Sequence, residues 1–223
     1  MAEIVKLDKV GVAGAVGLAA AALNAGDLVI IPTDTVYGLT AAVFKPTDIQ
    51  KIREGYEAAP WRGPASKLYA VKGRPRRQPS IVLAPDWQYA RMLTRQDLGE
   101  IEEFCRLVPN PVSVIVNAKW SWRPPLANGQ GGIALRVPKG GLVKIILKFC
   151  KFAYSVSANY PRAEDPYLLD LVPGHILKQA ALAVDAGSSP LRKPSFVVDF
   201  TVEPANPVRG GQELEEALTR FWK

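Results

Sequence analysis

Short, continuous apolar runs alternate along this chain with longer amphipathic or alanine-rich segments. The runs Leu28–Ile31 and Ile81–Leu83 contain no polar residue, which is typical of strands buried on both faces of a sheet. The segments between such runs are long enough for helices, and several carry the apolar spacing of a helix face. Strands that alternate with helices favour an α/β fold with helices packed against the sheet. Because several connections are short, antiparallel strand pairs remain open beside parallel ones.

This pattern predicts the following elements. The strands are 28–32, Ser80–Ala84, Val112–Val116, Ile133–Val137, Tyr154–Ser157 and Phe196–Phe200. The helices are 10–24, Pro46–Tyr56, Arg95–Leu107, Leu142–Cys150, most of Pro166–Leu182, and Glu213–Trp222. We expect the first helix to stop at Gly26, because glycine can take the left-handed position after a helix, and the second to be capped by Thr47 or Asp48. No internal repeat or linker divides the order, so residues 1–223 are predicted to form a single domain.

Composition argues against several kinds of chemistry. Hydrophobic residues make up 48% of the chain and charged residues 22%, as in ordinary soluble globular proteins with a large core. Cys105 and Cys150 have no CxxC spacing, so we expect buried thiols in a reducing compartment rather than a disulfide or a zinc site. His175 is the single histidine of the sequence, which argues against a histidine-based metal site or a Ser-His-Asp triad.

An apolar run near the N-terminus raises the question of a signal peptide or membrane anchor. Val10–Leu23 is rich in alanine and glycine, but it is shorter than the about 20 apolar residues that cross a bilayer. It follows Glu3 and Asp8 and leads directly into the strand at 28–32 rather than into a cleavage site. We therefore expect a helix packed in the core, a cytoplasmic protein and no membrane association.

Positive charge is concentrated in one segment. The chain has a formal net charge of +7 and a pI near 9.4. The basic residues between positions 60 and 79 are Arg62, Lys67, Lys72, Arg74, Arg76 and Arg77. Four prolines and two glycines lie in the same segment, so we expect an irregular loop rather than a regular helix or strand throughout. A basic loop of this kind could grip phosphates, and the alternative is an ordinary solvated surface.

Polar side chains cluster where the predicted strands end. They are Thr33, Asp34 and Thr35, then Arg136, then Ser155, Ser157 and Asn159, and finally Ser195 and Arg209. Strand ends of an open α/β sheet usually form the ligand crevice. Arginine binds phosphates or carboxylates through paired N–H groups, and lysine supplies a point charge. The set therefore suits a polyphosphate ligand and a reaction such as nucleotidyl transfer, which works by positioning and charge neutralisation without a protein nucleophile.

Each of these groups also has a purely structural interpretation. Thr33–Thr35 could form a capping or Asx-type turn after a strand, and Ser157–Asn159 could begin a helix. Arg136 and Arg209 could form surface salt bridges of little energetic consequence, and Lys72–Pro75 could be a solvated turn. Their joint occurrence in one order favours a shared site.

Five short motifs, taken in order, resemble those of the YrdC/Sua5 family. They are Pro32–Leu39 (PTDTVYGL), Lys72–Pro75 (KGRP), Ala134–Pro138 (ALRVP), Ser157–Asn159 (SAN) and Pro194–Asp199 (PSFVVD). Ser195 and Arg209 also keep the family's separation of 14 positions. The resemblance covers almost the whole chain and implies the short, single-domain form of the family. Its fold is a twisted mixed sheet flanked by helices, with a concave basic cleft for ligands.

The resemblance implies a nucleotidyltransferase that acts as an L-threonylcarbamoyladenylate synthase. Such an enzyme makes threonylcarbamoyl-AMP and pyrophosphate from L-threonine, bicarbonate and ATP, and Mg²⁺ is expected with the ATP. The product serves the t6A modification of adenosine 37 in tRNA by a separate tRNA-threonylcarbamoyl transferase machinery. Three alternatives remain: a module that binds double-stranded RNA or tRNA without chemistry, a paralogue without this activity, and a carbamoyl-transfer relative that uses another acceptor.

The same resemblance assigns roles to individual residues. For ATP it implies Lys72, Arg74, Gln78, Ser113, Ser157, Asn159 and Arg209. For threonine it implies Thr33, Thr35, Tyr37, Arg136, Ser155 and Ser195. Lys72 and Arg74 would matter most, because they would neutralise phosphate charge. The resemblance implies no catalytic nucleophile, and the sequence does not identify the ligands of a metal.

The chain departs from the family pattern at four places. Asn110 replaces a glycine, and there we expect a turn with unusual backbone angles. Leu83 stands where many relatives have histidine, and Tyr160 and Pro161 follow the SAN motif in place of small residues. Segment 55–71 is also longer than usual. These departures bear on substrate identity and activity more than on the fold.

Overall fold

The computed structural model describes residues 2–73, 75, 79–122, 126–128 and 130–222. Its strands are β1 (Glu3–Lys6), β2 (Val29–Pro32), β3 (Tyr37–Ala42), β4 (Ile81–Leu83), β5 (Val112–Asn117), β6 (Gly132–Arg136), β7 (Ala153–Ser157), β8 (Leu182–Asp185), β9 (Phe196–Asp199) and β10 (Asn206–Arg209). Its helices are α1 (Leu7–Ala25), α2 (Pro46–Arg53), α3 (Arg62–Lys72), α4 (Trp87–Arg91), α5 (Gly99–Leu107), α6 (Gly141–Cys150), α7 (Gly174–Gln179) and α8 (Gly211–Phe221). A 3-10 turn at Leu169–Leu171 precedes α7.

Within the described residues, these strands form one mixed sheet in the order β1-β8-β2-β3-β7-β4-β6-β5-β9-β10. The pairs β1–β8, β2–β8, β4–β6 and β5–β9 are parallel. The pairs β2–β3, β3–β7, β4–β7, β5–β6 and β9–β10 are antiparallel. The predicted mixed α/β fold is confirmed, and short connections such as the β2–β3 turn join antiparallel neighbours.

The apolar run in and before β2 is continuous because both faces of the sheet are covered there. Leu28 and Ile30 belong to the larger core cluster on one face, and Val29 and Ile31 to a smaller cluster on the other. Successive side chains of a strand point to opposite faces, so each covered face requires an apolar residue at every second position. Helices α1 and α6 cover the second face.

Helix α1 packs through small apolar side chains. They are Ala15, Val16, Ala19, Ala20 and Leu23, all buried. The helix ends at Gly26, whose φ of 87° is left-handed, as expected from the sequence. It has 19 residues and is long and apolar enough, by length and composition alone, to cross a membrane. The backbone at Gly11 (φ 68°, ψ 171°) is not helical, so a kink separates the first residues of α1 from the rest of the helix.

The basic segment contains helix α3, contrary to the expectation of an irregular loop. Pro64 is the third residue of this helix, where a backbone N–H would have no partner within the helix, so its absence costs little. Leu68 and Tyr69 are buried in the larger core cluster and anchor the helix. Gly73, with a left-handed φ of 56°, follows its last residue.

Several other boundaries differ from the predictions. The sequence pattern missed the strands β1, β3, β8 and β10 and the short helix α4. The predicted helix Pro166–Leu182 is interrupted at Pro173, and Leu182 already belongs to β8. Helix α2 follows Lys45 and has Pro46 at its first position, where the fixed φ of proline suits a helix start. Thr47 and Asp48 therefore lie inside the first turn of α2.

Helix α5 begins at Gly99 rather than at Arg95. Thr94 Oγ1 accepts the backbone N–H of Gln96 at 3.0 Å, which holds the chain in a turn before the helix. Asp97 then accepts the N–H of Gly99, also at 3.0 Å.

Both cysteines are free and buried. Burial raises the pKa of Cys105 and that of Cys150 to about 12. At neutral pH these thiols are therefore protonated, and they act as small apolar side chains of the core.

The part of the second sheet face that α1 and α6 leave open forms a cleft. Side chains of Ala153, Ser155 and Ser157 lie on the same side of β7 by strand alternation. Ala153 packs in the smaller cluster, whereas Ser155 and Ser157 line an open cavity. Gly38 pairs with Ser157 across β3 and β7, and a Cβ at Gly38 would lie 2.5 Å from Ser155 Oγ. A glycine is therefore required for the close approach of β3 to this wall of the cleft.

Candidate functional site

The cleft encloses a cavity of about 750 Å³. Its polar lining consists of Thr33, Thr35, Lys72, Arg136, Ser155, Ser157, Asn159, Asp165, Ser195 and Arg209. Its apolar lining includes Ile81, Leu83, Ile115, Ala134, Val197 and Val208. A cavity of this size suits a small-molecule ligand. The fold thus brings together most of the residues that the sequence singles out, from six separate segments of the chain.

Thr33 organises the turn between β2 and β3. Its Oγ1 donates to Val36 O at 2.7 Å and accepts the backbone N–H groups of Thr35 and Val36 at 3.1 and 3.2 Å. Thr33 Oγ1 also lies 2.7 Å from Thr35 Oγ1. Either hydroxyl could be the donor in this pair. The side-chain-stabilised turn expected here is therefore present, and it holds the Thr35 hydroxyl at the cleft.

Arg136 is a buried cation fixed by the same turn. Its Nη2 donates to Asp34 Oδ1 at 3.1 Å, and its Nη1 donates to Thr35 Oγ1 at 3.0 Å. The side chains of Arg136 and Asp34 are only 6% and 8% exposed. The second carboxylate oxygen of Asp34 accepts the backbone N–H of Lys139 at 2.9 Å. Arg136 Nε is buried and has no hydrogen-bond partner among the described residues, which is uncommon for a buried donor.

Arg136 and Arg209 influence each other electrostatically. Burial lowers the pKa of Arg136, Asp34 raises it, and the nearby Arg209 lowers it further. Partial burial also lowers the pKa of Arg209, whereas the negative charge of Asp165 raises it. Like charges held in a partly desolvated cleft attract anions strongly. The electrostatics therefore favour a ligand with more than one negative group.

Arg209 is positioned by Ser195. Its Nε donates to Ser195 O at 2.9 Å and its Nη2 to Ser195 Oγ at 3.1 Å. Ser195 Oγ lies 2.8 Å from Ser113 Oγ on the neighbouring strand. Ser113 is fully buried and is not part of the cavity lining. It therefore contacts Ser195 from behind rather than facing the cleft.

Lys72 reaches from the end of α3 to the end of β7. Its Nζ donates to Ser157 O at 2.8 Å, to Asn159 Oδ1 at 3.0 Å, and also to Asn159 O. Asn159 Nδ2 donates in turn to Ala163 O at 2.8 Å and to Asp165 Oδ1 at 3.0 Å. The expected helix-cap interpretation of Ser157–Asn159 does not apply, since no helix begins there. Lys72 lies in the cleft, although a helix rather than a loop carries it.

Two carboxylates of the site were not assigned from the sequence. Asp34 was considered only as part of a turn, yet it is the counter-charge of Arg136. Asp165 Oδ1 accepts hydrogen bonds from Ser157 Oγ and from Asn159 Nδ2. Asp34 lies between Thr33 and Thr35, and this position could have marked it as a partner for a buried cation. No sequence signal marks Asp165, because only the fold returns its loop to the end of β7.

One other predicted residue, Tyr37, does not line the described cavity. The Tyr37 hydroxyl donates to Gly187 O at 2.7 Å and accepts the N–H of Ala186 at 3.2 Å. Tyr37 is fully buried, and burial raises its pKa to about 12. It supports the β2–β3 turn from within the core. Arg74 and Gln78 lie outside the described residues.

The departures from the family pattern have definite positions. Leu83 lines the cavity and is the register partner of Arg136. Tyr160 stacks on His175 with ring centroids 4.3 Å apart. Asn110 does not have a positive φ, so the expected unusual backbone angle is absent at this residue. Its side chain instead donates to Glu213 Oε1 at 2.8 Å.

Fold and cleft together define a class: an α/β protein with a mixed sheet and a cationic, hydroxyl-lined cleft for an anionic ligand. The chain belongs to the Sua5/YciO/YrdC family, whose model, described as telomere recombination, matches residues 21–56 and 62–211. Residues 57–61 lie between the two matched parts. They belong to segment 55–71, which the sequence analysis finds to be longer than usual for the family.

Relatives of known name share sequence or fold with the chain. A protein of Mycobacterium tuberculosis named putative threonylcarbamoyl-AMP synthase is 28% identical over 210 residues, which are 93% of this chain and 87% of that protein. Sua5 of Pyrococcus abyssi in complex with L-threonine has a TM-score of 0.75 and 21% identity. The alignment covers 97% of this chain but 60% of that one, so this chain spans less than two thirds of the archaeal protein. YciO of E. coli has a TM-score of 0.71 and 16% identity, over 95% and 97% of the two chains.

Proposed function

We propose that this chain is an L-threonylcarbamoyladenylate synthase, which makes threonylcarbamoyl-AMP and pyrophosphate from L-threonine, bicarbonate and ATP. One observation carries the proposal. The buried guanidinium of Arg136, fixed by Asp34 and Thr35, lines one cavity together with the cations Lys72 and Arg209. The mycobacterial relative named putative threonylcarbamoyl-AMP synthase and the Sua5 complex with L-threonine support it.

The amino acid would bind at Arg136. A substrate carboxylate can pair with the guanidinium of Arg136, which lines the cavity. The Thr35 hydroxyl, which accepts from Arg136 Nη1, lies at the same cavity and can contact the ammonium group of the substrate. The Ser155 hydroxyl faces the same cavity. These groups match the charges of a free amino acid.

The nucleotide phosphates would bind at Arg209 and Lys72. Both side chains line the cavity. Arg209 donates to Ser195 O and Oγ, and Lys72 donates to Ser157 O and Asn159 Oδ1, so the two cations are held at the cleft wall. Departure of pyrophosphate adds negative charge to the leaving group, which fixed cations stabilise.

The chemistry requires a carbamate of threonine to attack the α-phosphorus of ATP while pyrophosphate leaves. The protein would contribute by holding the two anions in one cleft, which replaces an encounter in solution by a positioned reaction. No side chain needs to form a covalent intermediate. The product would then pass to the machinery that transfers threonylcarbamoyl to tRNA.

Magnesium would enter with ATP. The described residues contain no group of three or more His, Cys, Asp and Glu side chains that could hold a metal ion. Asp165 is the one carboxylate among the described residues of the cavity lining, and its Oδ1 already accepts from Ser157 and Asn159. The donor set therefore fits a Mg²⁺ held mainly by phosphate oxygens and water.

Pyrophosphate release tests this function. Ribonuclease-treated protein is incubated with ATP, bicarbonate and each amino acid in turn, and reactions without bicarbonate serve as controls. We expect release with threonine and bicarbonate together, and none when either is left out. Absence of pyrophosphate with every amino acid would overturn the proposal, and release with a different amino acid would change the acceptor.

An RNA titration separates the enzyme from a binding module. If the positive charge serves the cleft, RNA binding should be weak, insensitive to sequence and lost steeply between low and high salt, as counterion release requires. Tight binding of double-stranded RNA or tRNA that survives high salt, without pyrophosphate release, would favour the binding module instead.

A further inference from the structure

Asp165, Asn159 and Lys72 form a continuous chain of hydrogen bonds along one wall of the cleft. Asp165 Oδ1 accepts Asn159 Nδ2 at 3.0 Å, and Asn159 Oδ1 accepts Lys72 Nζ at 3.0 Å. Asp165 Oδ1 also accepts the Ser157 hydroxyl. All of these residues line the cavity. We call the three residues Asp165, Asn159 and Lys72 the Asp165 relay.

The charges at the two ends fix the orientation of the amide between them. An amide presents N–H donors on one side and a carbonyl acceptor on the other. An ionised Asp165 only accepts and Lys72 only donates, so one of the two orientations of the Asn159 amide satisfies both. The same orientation lets Nδ2 donate to Ala163 O at 2.8 Å and to Glu164 O at 3.3 Å. Hydrogen bonds to charged groups are roughly twice as strong as neutral ones.

The relay ends at an ammonium group that already has its acceptors in place. Lys72 Nζ donates to Ser157 O, Asn159 O and Asn159 Oδ1, which matches its three N–H donors. A free lysine side chain loses rotamer entropy when it is fixed. Where folding has already fixed the side chain, a ligand does not bear this cost again.

We propose that Asp165 is a positioning residue that, through Asn159, holds the Lys72 ammonium at the cleft wall for a phosphate group. The identity of the ligand rests on the proposed function, whereas the relay itself does not. A phosphate oxygen reaches Lys72 by replacing one of the acceptors named above while the others keep the ammonium in place. Asp165 acts through Asn159 and does not need to touch the ligand.

Chemical labelling tests the relay without any turnover. The acetylation rate of Lys72 by acetic anhydride is followed by mass spectrometry, with Lys67 on the same helix, 58% exposed, as internal reference. Asp165→Ala should raise the Lys72 rate about fivefold, as expected for the loss of one hydrogen bond. Asp165→Asn keeps an oxygen that can accept the same two bonds and should stay near wild type. Glu164→Ala, at an exposed neighbour, should change nothing. Equal rates in wild type and Asp165→Ala would overturn the proposal.

Kinetics of pyrophosphate release tests the consequence for the nucleotide. Asp165→Ala and Asp165→Asn both remove the negative charge, so the difference between them reports geometry alone. We expect the KM for ATP to be about fivefold higher in the alanine variant than in the asparagine variant. The KM values of the two variants for threonine should lie within about twofold of each other. Equal KM values for ATP, or parallel increases for both substrates, would overturn the positioning role. If the wild type releases no pyrophosphate, the proposed function fails and the labelling result still decides the relay.

Discussion

The cleft holds its cations in two different ways. At its buried end, Arg136 is paired with Asp34 and enclosed by the β2–β3 turn, with both side chains less than a tenth exposed. At its open end, Lys72 and Arg209 are held by carbonyl, amide and hydroxyl oxygens. A buried ion pair is part of the folding energy, because either partner left alone would be an uncompensated charge. The open end can change with far less consequence for stability, so it can be tuned for a ligand.

Removal of Asp34, the buried counter-charge of Arg136, should show the difference between the two ends most clearly. Asp34→Ala leaves the Arg136 guanidinium buried without its partner, and we expect a loss of about 3–5 kcal/mol in the free energy of unfolding. Denaturant unfolding measures it. Asp27→Ala is the matched control, because it removes an exposed ion pair with Lys67 and should cost about 1 kcal/mol or less. Equal midpoints for the two variants would show that burial does not distinguish the two ends.

A smaller loss is expected when only a hydroxyl is removed from the buried end. Thr35→Val keeps the shape but removes the acceptor of Arg136 Nη1 and the hydrogen bond with the Thr33 hydroxyl, which should cost about 1–3 kcal/mol. If threonine binds beside Arg136, its KM should rise while the KM for ATP changes little. Equal increases for both substrates would count against an amino-acid site at this end.

At the open end, we expect a small effect on stability and a large effect on ATP binding. Arg209→Ala should lower the free energy of unfolding by no more than about 1 kcal/mol, but it should raise the KM for ATP about tenfold or more, since hydrogen bonds to charged groups contribute most to binding. Arg53→Ala, an exposed arginine on α2, controls for the loss of one positive charge. A large fall in stability without a change in KM would make Arg209 a structural residue.

The smallest effect on stability at neutral pH is expected from Tyr37, which lies behind the β2–β3 turn. Burial raises its pKa to about 12, from a usual value of 10. The unfolded chain therefore loses the Tyr37 proton first, and stability should be unaffected below pH 10 and fall between pH 10 and 12. Comparison of wild type with Tyr37→Phe by alkaline unfolding isolates this contribution. Identical pH dependence in the two proteins would contradict it.

The central strands could be predicted because both sheet faces are covered there. Val29 and Ile31 meet one core cluster, and Leu28 and Ile30 the other, which produces an unmistakable apolar run. The edge strand β1 has a single buried residue, Val5, so its pattern is weak. The helix α3 was mistaken for a loop because Pro64 was taken as a breaker, although its place in the first turn makes it compatible with a helix.

The site shows the same division between local and long-range information. Thr33, Asp34 and Thr35 form a local turn that residue types alone suggest. The resemblance assigns Tyr37 and Ser113 to the site as well, but the fold places them behind the cleft, and their neighbours on the chain do not reveal this. Asp165 depends on the path of the loop after β7, which no local signal encodes.

The cleft is assembled from parts of the chain that are far apart in sequence. The contacts Arg136–Thr35, Lys72–Ser157 and Ser113–Ser195 join residues separated by 101, 85 and 82 positions. Such long loops close late in folding, so a partly folded chain would have none of these anion-binding arrangements. A ligand in the cleft would accordingly bind the complete fold and stabilise it by mass action, by roughly 2.7 kcal/mol at a hundred times its Kd. Ligand occupancy and resistance to global unfolding or proteolysis should therefore rise together in this protein.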